Sequence, residues 1–315
     1  MSGRVVTFGE VMALVRSTNP GMIALTRDAQ LGIGGAEGNF AVALKRLGTD
    51  VSWIGRVGQD SFGQMVTREL RAEGIDVHAI VDTEAPTGMM VKESRTPKNT
   101  RVSYYRRGSA GSRLSAEDLP AGSFQGAALL HVTGITPALS ASARAATLYA
   151  VESARAAGLT VSLDLNFRSQ LWSGQDAAHF YRRILPLVDI VFAGDDEAAL
   201  IVGTNPGPTA LASALADLGP TEVVIKLGDQ GCYALVDGVG HLQDAIPVSV
   251  VDTVGAGDGF VAGYIAEYLR GEPVRKRLLT AVTVGAFACM VPGDWEGMPF
   301  RSELDLLGAK EPVSR

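Results

Sequence analysis

Short apolar runs rich in β-branched residues recur along the chain, each bounded by polar or glycine positions: VVTF at 5–8, VSWIG at 51–55, ALLHV at 128–132, TVSLDL at 160–165, DIVFA at 189–193 and EVVIKL at 222–227. Helical spacing fills the intervals. Phe40, Ala43, Leu44 and Leu47 fall at i, i+3, i+4 and i+7 and predict an amphipathic helix over 38–47. A second helix is predicted over 61–72, with Ser61 as its cap and Gly74 ending it. Buried strands separated by helices predict a doubly wound, mostly parallel α/β sheet whose ligands bind outside the carboxyl ends of the strands. One region breaks the alternation: TGMMVKESRTPKNTRVSYYRR at 87–107 holds two strand-like runs around a Pro-Lys-Asn turn. This predicts a hairpin, either a lid over a site or an edge hairpin without a functional part. The closing EPVSR is expected to fray.

Composition narrows the class. Hydrophobic residues at 46% and charged residues at 20% describe a globular protein with a sizeable core. A net charge of −6 argues against a nucleic-acid or anionic-membrane surface, although Arg101, Arg106 and Arg107 form one local basic cluster. Cys232 and Cys289 lack a CxxC spacing, which excludes a zinc site or disulfide framework and leaves both expected as buried apolar fillers. With no signal-type segment and no apolar stretch near 18 residues, a soluble cytoplasmic protein is expected. Glycine is the outlier, 37 of 315 residues, about 12% against a usual 7% or so, without a Gly-X-Y period.

The glycines cluster where a ligand would need them. In VVDTVGAGDGFVAGYIAEYL at 250–269, a short β-branched run, expected as a strand, leads into Gly255, Ala256 and Gly257, then Asp258, then a helix expected to gather Phe260, Val261, Ile265 and Leu269 on one face. Backbone N–H groups converging at a helix amino terminus suit a phosphate. Asp258 there either caps the helix or accepts the proton of a hydroxyl attacking a phosphoryl group. In GGAEGNFAVALKRLG at 34–48, Gly34 and Gly35 allow close approach of a ligand and Asn39 offers an amide to hydroxyls. With Gly32 and Gly34 leading, a dinucleotide fingerprint would need glycine where Glu37 stands, with a strand before it, and none is evident. The absence of any Gly-Lys pair removes a Walker-type loop. IKLGDQGCYAL at 225–235 predicts two strands around Gly228 and Gly231, either a plain hairpin or the wall of a nucleotide site.

On these motifs the chain resembles carbohydrate kinases of the ribokinase/phosphofructokinase-B family over nearly its whole length. DTVGAGD at 252–258 matches the family's D-T-x-G-A-G-D signature, and GGAEGNFAVALKRLG its amino-terminal glycine signature. The resemblance implies a single ribokinase-like domain over 1–310, with segments near 12–33 and 87–107 forming a β lid. It implies ATP and Mg²⁺, Asp258 as base, and Gly255, Ala256 and Gly257 as the anion hole. Lys226, Gly228, Gly231 and Asn166 are implied on the cofactor side. A homo-oligomer is expected, its lid edges offering a place to pair.

Within the family the nearer likeness is to 2-keto-3-deoxygluconate kinases, carried by YYRRGSAGS at 104–112, HVTGITPALS at 131–140, LDLNFRSQLW at 163–172 and GDWEGMPFR at 293–301. It implies sugar contacts from Gly34, Gly35, Asn39, Met90, Tyr104, Arg106, Ile135, Arg168 and Asp294. The chemistry agrees with a sugar acid, because a carboxylate leaving water is met bidentately by guanidinium groups, here Arg106 and Arg168. Asp294 is either an acceptor for a distal hydroxyl or a solvated loop residue, and His131 is expected as a satisfied core residue. Two positions depart from the pattern. The family's N-x-x-E, associated with metal and phosphate, reads GDDE at 194–197, so magnesium rests on Glu197 through water, with Asp195 nearby. Met90 stands where relatives carry a lid tyrosine. Two other readings stay open, a kinase for a neutral sugar or nucleoside and a catalytically silent sugar-binding protein.

Overall fold

The computed structural model describes residues 3–25, 28–96, 99–119 and 122–308. Pro97 and Lys98 of the predicted hairpin turn, and the carboxyl-terminal residues expected to fray, lie outside them. The six predicted buried runs form β1 (Arg4–Phe8), β4 (Val51–Gly58), β8 (Ala127–Thr133), β9 (Thr160–Asp164), β10 (Ile190–Gly194) and β11 (Glu222–Lys226). With β5 (Asp76–Asp82), β12 (Cys232–Val236) and β13 (Val239–Gln243) they make one sheet in the order β13-β12-β11-β10-β9-β8-β1-β4-β5. It is parallel from β5 to β11, and β12 and β13 add antiparallel strands at one edge.

Alternation along the strands divides the core. Val5 and Val6, or Ile190, Val191, Phe192 and Ala193, feed two apolar clusters by turns, as the two-residue period of a pleated strand requires. One cluster is covered by α1 (Ala36–Arg46), α2 (Ser61–Ala72), α8 (Ala256–Leu269) and α9 (Val274–Cys289). The other is covered by α4 (Ala141–Ala156), α5 (Gly174–Ile184), α6 (Asp195–Val202) and α7 (Pro208–Ala216); the one-turn α3 (Thr136–Leu139) follows β8. Strand order reverses at β1, with β4 on one side and β8 on the other. Crevices at carboxyl ends form at such a switch point.

A second sheet, ordered β3-β2-β6-β7, is built from β2 (Met12–Ser17), β3 (Ala29–Gly34), β6 (Met89–Thr96) and β7 (Asn99–Tyr105). The predicted hairpin is therefore present, joined through the parallel pair β2 and β6 to a second antiparallel hairpin. Met12, Leu14 and Met90 form a small core of its own.

Several expectations are corrected. The cap of α2 is Asp60, whose Oδ1 accepts from Gly63 N at 2.7 Å, and not Ser61. The Val250–Val251 run is irregular and exposed, not a strand. Helix α8 is not amphipathic: every residue from 259 to 267 is buried, because α1 and α9 enclose it. A strand, β3, does lead into the 34–48 motif, although it belongs to the second sheet. Cys232 is a buried filler as expected, but Cys289 is only half-buried. His131 is the satisfied core residue expected: its ring stacks on Phe40 at 4.0 Å, Nδ1 pairs with Ser162 Oγ, and burial, with the Lys226 charge, pushes its pKa down to about 3.

Candidate active site

The carboxyl ends of β1, β8, β9 and β11 and the two glycine turns converge on two cavities that share a wall. The first, about 340 Å³, has Gly35 and Asn39 from the start of α1, Met90 and Tyr104 from the lid hairpin, and Arg106, Ile135, Arg168 and Asp294 around its rim. Asp164, Asn166, Gly255 and Asp258 complete it. Gly34 lies beneath: a Cβ there would stand 2.2 Å from Met90 Cε and 2.3 Å from Asp294 Oδ2, so only glycine admits both side chains. The second cavity, about 670 Å³ and mainly apolar, is walled by Gly228, Gly231, Ala256, Ile246, Phe260 and the half-buried Cys289. Thr253, Gly257 and Lys226 line both, so the turn before α8 is the partition between them.

That turn is shaped for an anion. Gly255 caps α8 with φ +80, and a Cβ on it would meet Asp294 O at 1.8 Å, so glycine is required twice over. At Gly257 a Cβ would meet only Lys226 Nζ, at 3.8 Å. The protein itself leaves room there, beside the amino terminus of α8 and a lysine, as a phosphate needs, although the Ala256 amide already donates to Thr253 O at 3.3 Å.

Asp258 lies in the first turn of α8, held on both oxygens. Asn39 Nδ2 donates to Oδ2 at 2.8 Å and Asn166 Nδ2 to Oδ1 at 3.3 Å. Asn166 takes a left-handed backbone, φ 41, to reach it. Burial pushes the Asp258 carboxyl up to about 7, with the Asp164 charge adding and the Asn39 hydrogen bond, Arg168 and Lys226 opposing. Burial alone would lower the Lys226 ammonium, but Asp164 at 2.7 Å, Glu197 and Asp258 outweigh it and raise its pKa. A carboxylate poised near neutrality beside an anion-binding turn can accept a proton while charge develops on a phosphate.

The two arginines are not equivalent. Arg106 reaches the cavity already paired: Nε and Nη2 donate to Glu10 Oε2 at 2.7 and 2.6 Å, and Ser109 Oγ donates to Oε1. Arg168 is exposed, donates to Phe167 O, and lines both the 340 Å³ cavity and an adjoining vestibule of about 500 Å³. Of the two guanidiniums expected to meet a carboxylate, Arg106 is thus already paired with Glu10, whereas Arg168 makes no ion pair among the described residues. Asp294, in turn, is not a solvated loop residue. It is 4% exposed and ion-paired with Lys92 at 3.2 Å, and burial pushes its carboxyl up to about 6.

Among the described residues no three His, Cys, Asp or Glu side chains gather to hold a metal. Glu197 lines neither cavity, and its oxygens accept from Phe167 N at 2.8 Å and Gly194 N at 2.7 Å. It closes the amino terminus of α6, which explains how glycine is tolerated at 194. This donor set suits Mg²⁺ only as an ion that keeps its waters and is held chiefly by phosphates.

Sequence reasoning missed Glu10, Glu37, Asp164, Lys92 and Asp252. Glu37 is buried and accepts from Thr133 Oγ1 at 2.8 Å and Thr136 Oγ1 at 2.6 Å, and burial raises its pKa despite both bonds. The available signal was an acidic residue closing an apolar strand run, as Asp164 does in TVSLDL and Glu10 just after VVTF.

Among the described residues no helix is long and apolar enough to cross a membrane. The sequence profile of pfkB family carbohydrate kinases matches residues 2–301. The chain is 37% identical to the 2-dehydro-3-deoxygluconokinase of Bacillus subtilis over 313 residues, 98% of this chain and 96% of that one. The crystal structure of 2-dehydro-3-deoxygluconokinase from Thermotoga maritima superposes with a TM-score of 0.89 at 25% identity, covering 96% and 97% of the two chains. That of a fructokinase from Vibrio cholerae, with fructose, ADP and calcium bound, superposes with a TM-score of 0.86 at 26% identity, covering 97% and 99%. A profile match across almost the whole chain, over a fold and a glycine turn of this form, establishes that the chain belongs to the pfkB family of carbohydrate kinases.

Proposed function

We propose that the protein transfers the γ-phosphoryl group of ATP to the 6-hydroxyl of 2-keto-3-deoxygluconate. The observation that carries this reading is the juxtaposition of Asp258 and the Gly255–Gly257 turn at the partition between a polar cavity of sugar size and an apolar one of nucleotide size. The sugar lies against Gly34, Gly35, Asn39, Met90, Tyr104 and Ile135, with Arg168 taking its carboxylate. Arg106, oriented by Glu10, and Asp294 bind hydroxyls. Adenosine occupies the larger cavity beside Gly228 and Gly231.

Asp258 takes the hydroxyl proton as the sugar oxygen bonds to the γ-phosphorus and the bridging oxygen leaves with ADP. The amides at 255–257 and Lys226 carry the charge on the phosphoryl oxygens. Mg²⁺ would sit on the phosphates with Glu197 and Asp164 reaching its waters, and when bound it neutralises phosphate charge. The lid strands keep water from the γ-phosphate.

A neutral sugar is the second reading, favoured by one observation, the neutralisation of Arg106 by Glu10. Coupled ATP-consumption assays across sugar acids, ketoses, aldoses and nucleosides separate the two. The sugar acid is expected to give the highest kcat/KM, and Arg168→Ala to lower it by on the order of 10- to 100-fold, as loss of a charged hydrogen bond does. A preference for fructose unaffected by Arg168→Ala would remove the acid from the reading.

A further inference from the structure

Lys92 belongs to the lid, in the middle of β6, where it pairs with Arg16 of β2 and Val102 of β7. Lysine is almost never fully buried unless paired, yet this side chain is 3% exposed. Its ammonium leaves the lid altogether. It lies 2.5 Å from Asp252 Oδ2 and 3.2 Å from Asp294 Oδ1, an ion pair with each, and donates hydrogen bonds to Asp294 Oδ1 and, at 3.2 Å, to Gly293 O.

Both carboxylates act on the site. Asp252 begins the 252–258 turn: its Oδ1 accepts from Val254 N at 3.2 Å and its Oδ2 from Gly293 N at 3.3 Å. Asp294 presents Oδ2 over Gly34 at the sugar cavity, while its carbonyl oxygen packs on Gly255. Without the ammonium, two buried carboxylates would face one another uncompensated.

We infer that Lys92 is a positioning residue that couples the seating of the lid strand to the shape of the anion-hole turn, through Asp252, and to the aim of Asp294 at the sugar. The inference rests on the kinase reading. It makes the phosphate-binding turn complete only when β6 is seated, so that closure over the sugar and assembly of the transfer site are one event.

Steady-state kinetics of Lys92→Met, which keeps the stem and removes the charge, tests it. The expected result is a kcat lowered on the order of 10- to 100-fold and a raised sugar KM, with the KM for ATP within about twofold, because misplacement near 1 Å costs this much and the residues that Lys92 holds, Asp252, Gly293 and Asp294, do not line the adenosine cavity. Asp252→Asn added to Lys92→Met is expected to cost little beyond the single change, since residues acting as one unit are not additive. Methylammonium supplied to Lys92→Ala is expected to restore part of kcat. Wild-type kcat and sugar KM in Lys92→Met, or fully additive losses with Asp252→Asn, would overturn the coupling. Should Lys92→Met not fold, the charge-balanced double variant is measured instead: lowered kcat with unchanged KM for ATP supports the inference, and wild-type kcat overturns it. A wild-type protein that phosphorylates no sugar would instead remove the kinase reading.

Discussion

Asp258 meets two opposed demands. Its carboxyl, raised from 3.8 to about 7 by burial, keeps its proton in the folded chain at a pH where the unfolded chain has lost it. The folded state therefore binds more protons between those values, so its stability falls as pH rises through that window and levels off above about 7. Activity runs the other way, because the base must be ionised. With Asp258 as base, kcat/KM is expected to fall about tenfold per unit below pH 7 or so. Asp258→Asn is expected to lower kcat by roughly 10²- to 10⁴-fold with little change in either KM, and to gain thermal stability relative to wild type as pH rises from 4 to 7. Near-normal kcat in that variant would remove Asp258 as the base, and a pH-independent stability difference would contradict the raised carboxyl. This residue was legible because a helix cap alone explains neither Gly255 nor Gly257. The burial of Asp294 was not legible, although its place at the sugar was expected, because its partner Lys92 is distant in sequence and the burial depends on that pairing.

Helix α2 shows how an element joins the scaffold to the lid. Asp60 caps it, and the same carboxylate accepts from Thr87 N and Thr87 Oγ1, both at 2.8 Å, just before β6. Burial would raise the Asp60 pKa, but the Thr87 and Gly63 amides prevail and lower it. Its contribution is thus fully present above the unfolded value near 3.8 and is lost as pH falls through the folded one. Asp60→Ala is expected to destabilise by about 2 kcal/mol, the upper range for a cap, read by denaturant unfolding at pH 7, with the difference shrinking below pH 4 or so. An effect under about 0.5 kcal/mol would mean the cap is replaceable. Helix periodicity located α2 to the residue, but two adjacent polar residues, Asp60 and Ser61, both qualify as caps. Thr87, across the fold, decides between them.

The molecule as a whole places two cavities on either side of one glycine turn and sets a small sheet over one of them. Binding should therefore act unevenly. Sugar acid with a non-hydrolysable ATP analogue is expected to slow amide hydrogen exchange in β6 and β7, by up to about 2.7 kcal/mol at a hundredfold excess over Kd. Exchange in β8, β9 and β10 should change little, because they are buried at the sheet centre, where opening generally requires global unfolding. Equal protection throughout would mean the lid sheet does not move separately.

Local chemistry determined the parallel strands, the hairpin and the two glycine turns, since β-branched runs, periodicity and glycine act within a few residues of themselves. The tertiary structure decided what those pieces face. It enclosed α8 on every side, gave Glu10 to Arg106 and carried Lys92 from the lid to Asp252 and Asp294. Each of these pairings joins residues remote in sequence, and burial makes charge depend on the partner across the fold rather than on the neighbours along the chain.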